Sequence, residues 1–145
     1  MNEAQRAVEA ALRWVGTPYH HQASRAEVGC DCLGLLRGVW RDVRGDEPCP
    51  VPAYTADWRE PDGGEPLLEA ARMYLHRAYG PTRGGDVLVF RMRERRAAKH
   101  CGIAISADRF VHAVERRGVV VEPLHAAWAR RVAGRFRFAG SEQKE

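Results

Sequence analysis

A chain of 145 residues, 45% apolar and 29% charged, can bury one core without cross-links, and four cysteines are too few for a disulfide scaffold. The formal charge of +4 suits an anionic partner without choosing among nucleic acid, a membrane face and an acidic wall polymer. No run approaches the roughly 18 apolar residues of a membrane span, so no membrane insertion is expected.

The N-terminal stretch MNEAQRAVEAALRW is amphipathic and lacks the apolar centre of a signal peptide, so synthesis and folding in the cytoplasm are expected. Ala4, Ala7, Val8, Ala11, Leu12 and Val15 recur at helical spacing and predict a helix over 3–15, capped by Asn2 and stopped by Gly16 and Pro18. A second helix is expected over 32–43, with Cys32, Leu35, Leu36, Val39 and Trp40 on one stripe. Gly34 and Gly38 each weaken an isolated helix by about 1 kcal/mol. Four apart, they leave a bare strip that implies very close packing.

Residues 45–65 are rich in proline and read as a long loop. Tyr54 and Trp58 within it either wall a cleft or pin the loop to the core. A third helix is expected from Pro66 to Ala78, ended by Gly80-Pro81. The period then changes to two, and 86–90, 101–106, 109–114, 118–122 and 134–138 read as strands. Helices followed by an antiparallel sheet of about five strands make an α+β domain over 1–140, with a short polar tail at 141–145.

Cys32 stands where the second helix begins, with Asp31 as its N-cap. Free N–H groups and the positive end of the helix dipole favour a thiolate there, and can also hold an oxyanion. Cys30 lies before the helix and lacks this advantage. A buried, inert thiol is the plain alternative for any one cysteine. A base is therefore needed. Of six histidines, His76 reads as a surface residue, His125 carries little signal, and His20 and His21 share a loop. His100 and His112 differ, because strand alternation lets both point one way across a hairpin, with Cys101 on the opposite face. Cys32 as nucleophile, His100 as base and His112 as orienter form a workable set. A zinc site is the rival, but Cys30-x-Cys32 is tighter than the usual Cys-x₂₋₄-Cys and Cys101 faces away, so no metal is expected. The run RMRERRAAKH (91–100) is either a solvated loop or a contact for an anionic polymer or a neighbouring subunit. It has no interleaved aromatic residues, so nucleic acid is not expected as a partner.

Gly-Thr-Pro-Tyr (16–19), Asp-Cys-Leu-Gly-Leu (31–35), Gly-Asp-Val-Leu-Val-Phe (85–90), His-Cys-Gly-Ile (100–103) and Val-His-Ala (111–113) occur in that order. Together they resemble the NlpC-type family of papain-like cysteine peptidases, which cut peptide stems of bacterial peptidoglycan. The resemblance runs to about residue 122. The segments GCDCLGLLRGVW, VPAYTADW and AKHCGIAI are most similar to a subgroup found among tail proteins of phages and phage-like gene transfer agents.

The resemblance implies a papain-like fold with Cys32 as nucleophile, His100 as base and His112 as orienting residue. It further implies that Tyr19 holds substrate or oxyanion, that Asp31 meets the free amine of the stem peptide, and that Gly34 lets its helix pack close to the sheet. The implied reaction is hydrolysis of the D-glutamyl to diamino acid bond, without metal or organic cofactor. The implied partners are peptidoglycan stems and neighbouring tail proteins of a particle that meets the cell wall, in the periplasm, after assembly. Leu33 stands where the family usually has serine, which removes a polar contact from the substrate site and leaves the bond cut open. Two other readings remain: a tail-tip structural subunit with little activity, and the same chemistry on a different amide.

Overall fold

The computed structural model describes residues 1–49 and 64–138. Tyr54, Trp58 and the 141–145 tail lie outside them. Asn2 and Gln5 cap α1 (Glu3–Trp14) reciprocally, each side chain accepting the other's backbone N–H at 2.8 and 2.9 Å. The buried face is Ala7, Ala10, Ala11 and Trp14, whereas Leu12 and Val15 of the expected stripe are 45% and 41% exposed. The bulkier Trp14 takes the inward place because α2 (Cys32–Arg44) offers it a bare site at Gly38.

The glycine strip of α2 is as tight as its spacing suggests. A Cβ on Gly38 would lie 2.0 Å from the Trp14 ring, and one on Gly34 would lie 1.8 Å from the Ala23 carbonyl oxygen. The close neighbour of Gly34 is therefore the segment entering a two-stranded ribbon, β1 (Ser24–Arg25) with β2 (Gly29–Cys30), and not the main sheet as the resemblance implied. The periodicity of 24–30 was too short to read as strands.

The third helix, α3 (Pro66–Tyr74), is shorter than expected. Leu75 is extended, and His76–Arg77 form the edge strand β3. Leu75 and Ala78 keep the apolar spacing and are buried, but backbone pairing with β8 (Val132–Arg137) wins the segment from the helix. The central strands are β4 (Val87–Phe90), β5 (His100–Ala104), β6 (Arg109–Val114) and β7 (Gly118–Pro123). Among the described residues the antiparallel order β3-β8-β4-β5-β6-β7 has six strands, one more than the five or so expected, the addition being β3. A short helix, α4 (Ala126–Ala129), carries Trp128 between β7 and β8.

Alternation sorts the sheet's side chains. Val87, Val89, Cys101, Ile103, Val111, Ala113 and Val119 share the main core with the helices. Leu88, Phe90, Ala104 and Phe110 form a smaller core with Trp128. Buried Asp86 ties the far end, accepting from Arg137 at 2.8 Å and Arg135 at 2.7 Å. Among the described residues no helix is long and apolar enough to cross a membrane.

Replacing Gly34 by alanine should lower stability by about 1–3 kcal/mol, despite alanine's better helix propensity, because the new methyl meets a backbone carbonyl that cannot swing aside. Urea unfolding checks this, and an equal or raised midpoint would show that the contact is not a constraint.

Candidate active site

Asp31 begins the site. It is 2% exposed, and its two carboxylate oxygens accept the backbone N–H groups of Gly34 at 2.8 Å and Gln22 at 2.7 Å. It is thus the N-cap of α2 and also pins the preceding loop. Cys32 follows as the first helical residue, and its Sγ lies 3.7 Å from the Lys99 carbonyl oxygen. The Cys101 thiol donates to the Cys32 carbonyl at 3.3 Å.

The three clustered thiols are pulled apart in acidity. Cys32 is lowered well below the ordinary thiol by hydrogen bonding from Cys101 and from His100, with the His100 charge adding to it, against the opposing effect of burial. Cys101 is raised well above it, first by its hydrogen-bonding interaction with Cys32 and then by burial. Cys30 is wholly buried and pushed up to about 12, by burial and by the nearby Asp31 and Cys32. Only Cys32 is placed to react as a thiolate.

His100 opens β5 and His112 lies mid-strand in β6, on one face of the hairpin. His100 Nε2 and His112 Nδ1 are 2.8 Å apart, and His112 Nε2 is 2.8 Å from Glu122 Oε1. His112 is fully buried among Phe110 and Trp128, and burial, with the neighbouring His100, lowers it to about 4. It is therefore neutral near pH 7. Glu122 is held below the ordinary carboxylate range against its burial, by hydrogen bonding from His112 and by the charge of Arg117, 3.0 Å away. A neutral His112 beside a carboxylate keeps its proton on Nε2, which leaves Nδ1 as an acceptor. His100 must then donate from Nε2, and its Nδ1 is free to take a proton from Cys32. The hydrogen-bond chain assigns the tautomers end to end.

Cys32, His100, His112 and Tyr19 line one cleft of about 1500 Å³, together with Glu65, the loop 91–97, Lys99, Glu115, Arg117, Glu122 and Trp128. Tyr19 is half-buried and bridges to Cys30. Burial, with Cys32 and Asp31 nearby, pushes its phenol up to about 12, so it presents a hydroxyl donor. Asp31 sits behind this wall and does not line the cleft. Leu33 is partly buried against the main core. Among the described residues no group of three or more His, Cys, Asp or Glu is arranged to hold a metal ion.

The profile of the NlpC/P60 family matches residues 16–137. The chain belongs to the NlpC/P60 family. No curated protein sequence matches it. The fold is similar to that of an NlpC/P60 protein of Bacillus cereus, with a TM-score of 0.66 at 17% identity over 93% of this chain and 40% of that one. It is also similar to a lipoprotein-like NLP/P60 protein of Staphylococcus aureus, with a TM-score of 0.60 at 19% identity over 94% and 41%. The NlpC/p60 domain of the peptidoglycan hydrolase SagA gives 0.59 at 22% identity over 83% of this chain and 89% of that domain. The chain thus spans about two fifths of the length of the Bacillus and Staphylococcus proteins.

Within this NlpC/P60 domain, Glu122 and Trp128 were not among the residues singled out from sequence. Glu122 was legible: His112 pairs with Val120, so the residue two further along β7 is its diagonal neighbour on the same face. Trp128 was not, because its place follows from how the chain turns after β7. Cys101 is a core residue as expected, yet its thiol also touches the Cys32 backbone.

Changing Glu122 to glutamine should raise the pH midpoint of Cys32 alkylation by iodoacetamide, since a carboxylate that steadies positive charge on the histidine pair is removed. An unmoved midpoint would show that Glu122 does not act on the pair. His112 also sets an acid limit. Its folded value of about 4 lies below the ordinary 6.5, so the unfolded chain binds the extra proton in that window. Stability should therefore fall as pH drops from 6.5 towards 4. Urea unfolding across this range should show a shallower fall for His112→Asn.

Proposed function

We propose that this protein is a cysteine endopeptidase that hydrolyses peptide stems of bacterial peptidoglycan, at the bond between D-glutamate and the diamino acid. The observation that carries the reading is the chain Cys32, His100, His112 and Glu122 opening on one cleft. Membership of the NlpC/P60 family and the likeness to the SagA hydrolase domain support peptidoglycan as the substrate.

In this mechanism His100 Nδ1 takes the Cys32 proton, and the thiolate attacks the scissile carbonyl carbon. N–H groups of the first turn of α2 and the Tyr19 hydroxyl stabilise the oxyanion. His100 then protonates the leaving amine, the C–N bond breaks, and an acyl-enzyme remains. Water, deprotonated by His100, hydrolyses the thioester and restores the thiol. His112 holds the His100 ring throughout, and Glu122 holds His112. Asp31 contributes by fixing the helix end and by placing negative potential behind Tyr19, which favours a free amine on that side.

The setting we propose is a phage-like or gene-transfer-agent tail, with neighbouring tail proteins as partners. It is supported by the segments GCDCLGLLRGVW and AKHCGIAI.

Purified muropeptides incubated with the wild type should yield new stem fragments by mass spectrometry. Cys32→Ala should yield none while remaining folded, and Cys30→Ala should retain cleavage. Equal loss in both cysteine variants would undo the assignment. No products from the wild type, with Cys32 inert to alkylation, would favour the structural subunit.

A further inference from the structure

The cleft is not evenly charged. Tyr19 and Glu115 stand together, with Asp31 behind, closely enough that both carboxylates act on the phenol. Another part of the wall is the hairpin loop 91–99, of which every residue except Ala98 lines the cleft.

That loop is tied down. Glu65, at the head of α3, accepts from the Arg91 guanidinium and from the Ala98 N–H at 2.9 Å. Arg91 also donates to the Arg96 carbonyl at 2.7 Å, and the Arg96 N–H donates to the Arg93 carbonyl at 3.0 Å. The Arg91 charge is thus matched by Glu65, as that of Arg117 is by Glu122. Arg93, Arg95 and Arg96 are exposed and have no carboxylate partner among the described residues. With Glu94 the one carboxylate among them, the three guanidinium groups of residues 93–96 leave a local excess of two positive charges on a tethered loop, which a bound anion relieves. Their planar forks match carboxylates in particular. The loop runs straight into His100, which in the mechanism hands a proton to the leaving amine, so this wall accompanies the departing segment.

We propose that Arg93, Arg95 and Arg96 form a carboxylate-binding wall for the part of the substrate released by cleavage. Preferred substrates then carry free carboxylates beyond the scissile bond. This deepens the peptidase reading and rests on it. In a stem peptide whose diamino acid bears a second carboxyl group, the anion is either that side-chain carboxylate or the C-terminal carboxylate.

The test uses a stem tripeptide with both carboxylates free and two versions, each amidated at one of them. Cleavage is measured with the wild type and with a variant carrying Arg93→Gln, Arg95→Gln and Arg96→Gln. Binding is measured in parallel by calorimetry on Cys32→Ala, with and without the three arginine changes. For the wild type, kcat/KM should fall about tenfold on one amidated peptide, mainly through KM, as expected for loss of one charge-assisted hydrogen bond. The peptide affected identifies the carboxylate. The arginine variant should cleave all three peptides at that lower rate. Equal rates on all three with the wild type, or a preference that survives in the variant, would overturn the proposal. Should the wild type cleave none, the peptidase reading fails and binding decides for the wall. A tenfold preference of Cys32→Ala for the free acid, lost with the arginines, sustains the wall; equal affinities, or no binding, overturn it.

Discussion

The buried carboxylate of Asp31 closes the first turn of α2 with one oxygen and holds the Gln22 N–H with the other. A cap of this kind contributes about 1 kcal/mol to a helix. Its larger consequence here is positional. α2 cannot begin a residue earlier or later without breaking both bonds, and Cys32 is the first residue inside. The bare strip of Gly34 and Gly38 then clamps the helix against Ala23 and Trp14, so the thiol cannot slide along or roll about the axis. The strand residues opposite matter only because this end is fixed.

On the sheet side, direction is conveyed by hydrogen-bond polarity. A carboxylate can only accept, so Glu122 forces a proton onto His112 Nε2. Neutral His112 can then only accept at Nδ1, which in turn sets His100. Burial of His112 sustains this order, since a doubly protonated ring would have no acceptor to offer. The aromatic ring of Trp128, perpendicular to His112 at 5.0 Å, helps bury His112, while His100 stays partly open to the cleft. The same burial costs stability on the acid side, a cost carried by the large helix-facing core and the Asp86 network at the far end of the sheet.

Most of the frame was legible because its signals are local. Period 3.6 marked α1 and α2, period two marked the five long strands, and alternation put His100 and His112 on one face. Reading failed where local signals conflict with distant partners. The apolar spacing from Leu67 to Ala78 suits a helix throughout, yet β8 captures His76 and Arg77 for the sheet. Ala7, Val8, Leu12 and Val15 form a fair stripe, but the space at Gly38 draws Trp14 inward and turns Leu12 out. In the site, Cys32 and the histidine pair were accessible from residue type and position. Trp128 depends on where α4 lies, which no periodicity encodes.

Three thiols within one site show how strongly position governs chemistry. Cys30, Cys32 and Cys101 are the same residue type, and all three are buried. Burial alone would raise all three and leave none reactive. Cys32 escapes through hydrogen bonding with Cys101 and with the His100 imidazole, and it stands at a helix N-terminus, which favours the thiolate as well. The same interaction raises Cys101 and keeps it protonated, while burial and then Asp31, which fixes the helix, do so for Cys30. The groups that position Cys32 thus also hold its two neighbouring thiols protonated, so of the three it is Cys32 whose proton is most readily lost.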